Sequence, residues 1–236
     1  MSTETHDAFP VGEIAFPSLG CVTLDDDPFL RFANFLPDSL AGAVEEELRE
    51  GIDYERVELS DVTLQWRARR PVGGVYRGPM IRRPGWSSSA LAEVGMSVLD
   101  SDVFVAWLSK LADEPLTFLR PATAYRMVAG DRLCLHDDMS DPQHAVSVAY
   151  NLSAQWRPEW GGATRFGSVT GSAPLPTPAD CPIKLTEWRV TDERRFAPQF
   201  NSLVVMKLDE RYAHGVAEIT GPAARYALVG IYGRPS

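Results

Sequence analysis

Tyr125-Arg126-Met127-Val128-Ala129-Gly130-Asp131-Arg132-Leu133-Cys134-Leu135-His136-Asp137-Asp138 reads as two short β-type runs divided by a turn. Ala124–Val128 and Arg132–His136 are the runs, and Ala129-Gly130-Asp131 is the turn material between them. The same rhythm continues to the C-terminal end. Strands are expected at Thr117–Leu119, Ala145–Leu152, Ala163–Phe166, Lys184–Arg189, Ser202–Lys207, Gly215–Ile219 and Arg225–Tyr232. Asp141-Pro142, Trp160-Gly161-Gly162 and Gly221-Pro222 separate them. Many short strands with Gly and Pro turns predict a sandwich or barrel, not alternating βαβ units.

The chain before this rhythm reads differently. Leu40–Glu50 follows Pro37-Asp38-Ser39, a capping sequence, and stops at Gly51. Ser87-Ser88-Ser89 leads into Ala90–Leu99, and Ser101-Asp102 opens Val103–Ala112, whose apolar residues recur at helical spacing. Gln65 to Trp86 is irregular and rich in Arg, Gly and Pro. The expectation is one catalytic domain over 1–236, with a helical and loop part at 1–115 packed outside a β core at 116–236.

A hydrophobic content of 44% in 236 residues is enough for a large core without disulfides or a structural metal. A net charge of -9 argues against nucleic acid as a partner. Cys21, Cys134 and Cys181 are far apart and form no CxxC pair. Met1 to Pro10 is polar and acidic, unlike a secretory leader, and no stretch is long and apolar enough to span a membrane. The expected setting is reducing and cytoplasmic, with no membrane partner; the sequence assigns no oligomeric state.

His136 and Asp138 stand two residues apart at the end of a β run, so an extended chain would turn both to one side and Asp137 to the other. His214 supplies a second imidazole from a later strand. Two histidines and one carboxylate leave coordination positions open for cosubstrate and O₂, the arrangement of non-haem Fe(II) oxygenases. Arg225 opens the otherwise apolar run Tyr226–Tyr232. A buried guanidinium needs a partner. That partner is either a planar carboxylate gripped bidentately, as in a dicarboxylate cosubstrate, or a protein carboxylate such as Glu218.

These residues, with Val146–Leu152, Trp156, Gly161–Phe166, Asn201–Met206 and His214-Gly215-Val216, resemble the Fe(II)/2-oxoglutarate-dependent oxygenases, and within them the prolyl-hydroxylase-like branch. The resemblance spans roughly residues 117 to 233 and implies a double-stranded β-helix (jelly-roll, cupin-like) core. It implies Fe(II) on His136, Asp138 and His214, and Arg225 on the distal carboxylate of 2-oxoglutarate. Tyr125 is implied to line the cosubstrate pocket, and Asn151 stands where relatives often carry a tyrosine touching the cosubstrate. O₂ is the oxidant and ascorbate an optional support. The products implied are succinate, CO₂ and an oxidised, most simply hydroxylated, substrate. Halogenating relatives replace the carboxylate ligand by a small residue; Asp138 separates this chain from them.

The expected substrate is a small molecule or amino-acid-type compound. A protein-directed prolyl hydroxylase and a non-catalytic β-barrel binding protein are the alternatives. Arg69 and Arg77, from the basic stretch before the core, and Arg165 are candidate substrate contacts. A plain solvated loop explains that basic stretch equally well. His144, Arg157 and Trp160 are further residues for the rim, and Ser168 to Asp180 reads as a flap or a surface loop.

Overall fold

The computed structural model describes residues 16–59, 63–68, 90–139, 141–177 and 185–235. In chain order the elements are β1 (Phe29–Ala33), α1 (Asp38–Glu50), β2 (Tyr54–Leu59), β3 (Thr63–Ala68), α2 (Ala90–Val94), a π-helical turn (Gly95–Leu99) and α3 (Asp102–Ala112). Then come β4 (Thr117–Phe118), β5 (Thr123–Met127), β6 (Arg132–His136), β7 (His144–Asn151), a 3₁₀ turn (Pro158–Trp160), β8 (Thr164–Pro174), β9 (Thr186–Phe196), β10 (Ser202–Lys207), β11 (Tyr212–Val216) and β12 (Arg225–Gly233).

All described strands join one antiparallel path, β1-β10-β7-β12-β5-β3-β6-β11-β8-β9, with β2 on β3 and β4 on β12. The two ends of the path meet again through side chains. Phe29 of β1 stacks on Phe166 of β8 at 4.9 Å and on Phe196 of β9 at 4.2 Å between ring centroids. The sheet is therefore rolled on itself, with Ala149, Val204 and Met206 from the first half facing Phe166 across the interior.

Strand alternation divides β12 between two cores. Tyr226, Leu228 and Tyr232 face outward into the main apolar cluster with α1, α2 and α3, while Arg225 and Ala227 face the interior. The helices cover the outer face because their own apolar stripes demand it: Leu40, Val44 and Leu48 of α1, and Phe104, Leu108 and Leu111 of α3, are fully buried. Ser101 caps α3 by accepting from Phe104 N at 3.2 Å, as expected. No side chain caps α1; Asp38 instead accepts from Asn201 Nδ2 at 2.8 Å. The start of α2 is capped from another helix. Glu47 of α1, buried, accepts the N–H groups of Ala90 and Leu91, both at 2.9 Å.

Two expectations need correction. The part to residue 115 is not only helix and loop, because it contributes β1, β2 and β3. β1 pairs with β10 in the register Phe29↔Met206, and a partner that distant leaves no local sign in the sequence. Nor is Ser168 to Pro174 part of a surface loop. It continues β8, pairs with β9 down to Pro174↔Thr186, and passes two register shifts on the way. Pro and Thr on an exposed two-stranded ribbon imitate a loop in composition. Among the described residues no helix is long and apolar enough to cross a membrane.

Candidate metal centre and cosubstrate pocket

β6 and β11 are neighbours, and their register sets His136 opposite His214. Gly215 permits this approach, since a Cβ there would lie 2.5 Å from the carbonyl oxygen of Leu133. His136 Nδ1 lies 2.9 Å from the carbonyl oxygen of Cys134. A carbonyl only accepts, so Nδ1 holds the hydrogen and Nε2 keeps its lone pair for the centre. Asp138 closes the group, with one oxygen 3.5 Å from His136 Nε2 and the other 3.2 Å from His214 Nε2.

Asp138 does not arrive by strand alternation. β6 ends at His136, and Asp138 has a φ of +54°, in the left-handed region. Its carboxylate reaches the histidines from a turn. Asp137 is turned away and accepts the backbone N–H of Met139 at 3.2 Å. The ligand atoms of His136, Asp138 and His214 all lie within 4.8 Å of one another, which suits a single metal ion. His214 is buried, whereas His136 and Asp138 each keep 30% of their side-chain surface exposed, so the group is open on one side.

The electrostatics fit a cation between these groups. Burial opposes the charged form of His136, but the Asp138 carboxylate, the Cys134 carbonyl and Asp137 together raise the pKa. Burial would raise Asp138 as well, yet the two imidazoles hold it well below the ordinary carboxylate range. His214 is lowered by burial and then by His136.

Further along the interior, Arg225 is buried at 4% exposure with no carboxylate partner among the described residues. Its Nη2 donates to Asn151 Oδ1 at 3.0 Å and Thr164 Oγ1 at 3.2 Å, Nη1 touches Met127 Sδ at 3.8 Å, and Nε has no partner among the described residues. Burial alone depresses its pKa to about 10. Glu218, the protein carboxylate considered for it, is mostly exposed and lies 4.0 Å from Arg132. A buried cation held by neutral groups gains most from an anion brought beside it.

The other expected residues divide. Tyr125 sits on β5 opposite Ala227 of β12. Asn151 is buried and holds Arg225 in place. Arg165 is a correction. Thr164 and Phe166 face the interior, so Arg165 turns to the opposite face, where Glu193 clamps it at 3.0 and 2.7 Å. That clamp, with Arg195, pulls Glu193 down to about 2. Arg69 and Arg77 lie outside the described residues, as does Cys181. Arg157 rests over the ring of Trp160 at 5.4 Å. Gly161 and Gly162 hold φ values of +74° and +68°, and a Cβ on Gly161 would meet the Glu218 carbonyl oxygen at 2.0 Å, so only a bare backbone fits this turn. Sequence reasoning missed Thr164, whose alternation with Phe166 was its only signal.

The rolled antiparallel sheet is a double-stranded β-helix with a two-histidine, one-carboxylate group inside it. Residues 122–233 match the family model of the 2OG-Fe(II) oxygenase superfamily, non-haem iron enzymes that use Fe(II), 2-oxoglutarate and O₂. Among solved structures it is similar to a Trichoplax adhaerens prolyl hydroxylase in complex with a hypoxia inducible factor peptide fragment, with a TM-score of 0.64 and 17% identity over 89% of this chain and 85% of that one. A Pseudomonas putida prolyl-4-hydroxylase gives 0.60 and 19% over 90% and 96%. HygX from Streptomyces hygroscopicus, with nickel and 2-oxoglutarate bound, gives 0.57 and 16% over 89% and 84%. No curated protein matches the chain by sequence.

Proposed function

We propose that this protein is a hydroxylase of a small molecule or amino-acid-type substrate, a single catalytic domain over 1–236 that works in a reducing, cytoplasmic setting. His136, Asp138 and His214 would hold the iron. Arg225 would take the distal carboxylate of 2-oxoglutarate, with Tyr125 and Asn151 lining the pocket. The observation that carries the reading is Arg225, a buried guanidinium on the same interior as the three ligand groups, with one nitrogen left without a partner among the described residues.

When bound, Fe(II) would supply the redox chemistry by which O₂ takes up the electrons of both conversions, 2-oxoglutarate to succinate and CO₂ and a substrate C–H to its oxidised product. The chain's own residues bind and orient. Cys134 O fixes the tautomer of His136, and Asn151 and Thr164 aim the guanidinium. The apolar side chains of Met127, Val216 and Ile219 keep water from the inner end of the pocket. HygX has been solved with hygromycin B as well as nickel and 2-oxoglutarate, which supports a small-molecule substrate within this fold.

The test is succinate release from 2-oxoglutarate with Fe(II) across amino acids and related metabolites, with product mass read in parallel. A gain of one oxygen on a substrate supports hydroxylation. Loss of two hydrogens would replace hydroxylation by desaturation or ring closure. His136→Ala and Asp138→Ala should each abolish turnover and weaken metal binding by more than ~100-fold, beyond the cost of losing a group that merely supports a ligand. A wild-type protein that binds neither iron nor 2-oxoglutarate would defeat the reading.

A further inference from the structure

Asp138 reaches the metal group from a backbone conformation that L-residues adopt at a cost of roughly 1 kcal/mol. A carboxylate on such a turn keeps its place only if the surroundings hold the turn. The bonds local to the segment shape it but move with it: Asp137 Oδ1 accepts from Met139 N, Asp141 Oδ1 from Gln143 N at 2.9 Å, and Asp141 O from His144 N at 3.1 Å. The bond that ties Asp138 itself to the sheet comes from the side chain of His144. Its Nδ1 lies 2.7 Å from the Asp138 carbonyl oxygen. Since that oxygen only accepts, His144 Nδ1 is the donor.

His144 is anchored in its turn. It is the first residue of β7 and pairs with Gly233 of β12. Its carbonyl accepts from Arg234 Nη1 at 3.3 Å, and Arg234 N donates to Gln143 O at 2.8 Å. The Arg234 guanidinium also grips Glu114, just beyond α3, at 2.8 and 3.0 Å. A continuous path thus runs from the end of α3 through Arg234 and His144 to the peptide that presents the carboxylate.

We propose that His144 is a positioning residue of the metal centre: its Nδ1–H locks the Asp138 peptide, so the carboxylate faces His136 and His214 before any metal arrives. The inference rests on the metal reading of those three residues. Without the bond the Asp138 turn relaxes to an ordinary backbone conformation and the carboxylate leaves the group.

The test uses the full chain and Co(II) as the probe, with affinity from calorimetry, the ligand-field absorption of bound Co(II) and the unfolding midpoint measured together. His144→Phe keeps a ring but removes the donor, and His144→Asn keeps an N–H near the position of Nδ1. The Phe variant should lose about 10- to 100-fold in Co(II) affinity with an altered Co(II) spectrum and an unfolding midpoint near that of wild type. The Asn variant should return to within a few-fold of wild type. Equal affinity in wild type and the Phe variant overturns the proposal, and so does an Asn variant as weak as the Phe one. A wild-type protein that does not take up Co(II) instead overturns the metal reading beneath it.

Discussion

The two faces of β12 share one backbone and do opposite things. On the outer face the buried side chains pack against the chain's own helices. Leu228 is fully buried, Tyr232 Oη donates to Leu99 O at 2.6 Å, and on the neighbouring β7 Tyr150 Oη donates to Asn201 Oδ1 at 2.9 Å. On the inner face Arg225 is equally buried but incompletely partnered, and the metal group beyond it is open on one side. The outer face is finished by the chain's own helices. The inner face is left for a ligand to finish, and that contrast locates function in this molecule.

Substituting one residue from each face gives the largest separation. Leu228→Ala should cost about 2–5 kcal/mol of stability by opening a cavity, measured by denaturant unfolding, while folded protein keeps its 2-oxoglutarate affinity. Arg225→Ala should do the reverse. It weakens 2-oxoglutarate binding by about 30-fold or more, the cost of roughly 2 kcal/mol for losing one side of a buried charge pair, and leaves the ligand-free unfolding midpoint unchanged or higher. Unchanged cosubstrate affinity in Arg225→Ala would show that the inner face has another purpose.

A smaller effect marks the outer layer. Burial pushes Asp100, ahead of α3, up to about 6, opposed only in part by the backbone N–H of Ala122, and its Oδ1 lacks a partner. The folded state therefore holds this proton more tightly than the unfolded one. Stability contributed by the protonated form is complete below the unfolded value and falls as pH rises through about 6. Asp100→Asn should flatten the fall in unfolding midpoint across that window, and an identical pH profile in both proteins would contradict the assignment.

The smallest effect should come from Arg165→Ala. This arginine is partly exposed and already clamped by Glu193, so its loss should change stability by no more than about 1 kcal/mol and leave cosubstrate affinity alone. A large change in substrate or cosubstrate affinity would return Arg165 to the site from which the structure removes it.

Much of the centre was legible in the chain. His136, Asp138, His214 and Arg225 were readable because chemistry restricts which residues can do their work and because each sits beside a recognisable β run. Asp138 nevertheless joins the group by a different route, since side-chain alternation on an extended strand gives way there to a left-handed turn. β1 and the extension of β8 beyond Phe166 and of β9 beyond Arg189 were not legible. Their pairing depends on distant partners, and their polar or proline-bearing residues carry little local signal.

The sequence by itself determined the ligand types, their order and a β-rich core, because donor chemistry and strand periodicity are properties of residues and their near neighbours. Only the tertiary structure decided the rest. Among the described residues Arg225 lacks a carboxylate partner while Arg165 has one, Thr164 and Asn151 aim the guanidinium, and His144 holds Asp138 from another strand. Partnership between charged groups is fixed by which distant strands the roll of the sheet brings face to face, and that roll is a property of the whole chain.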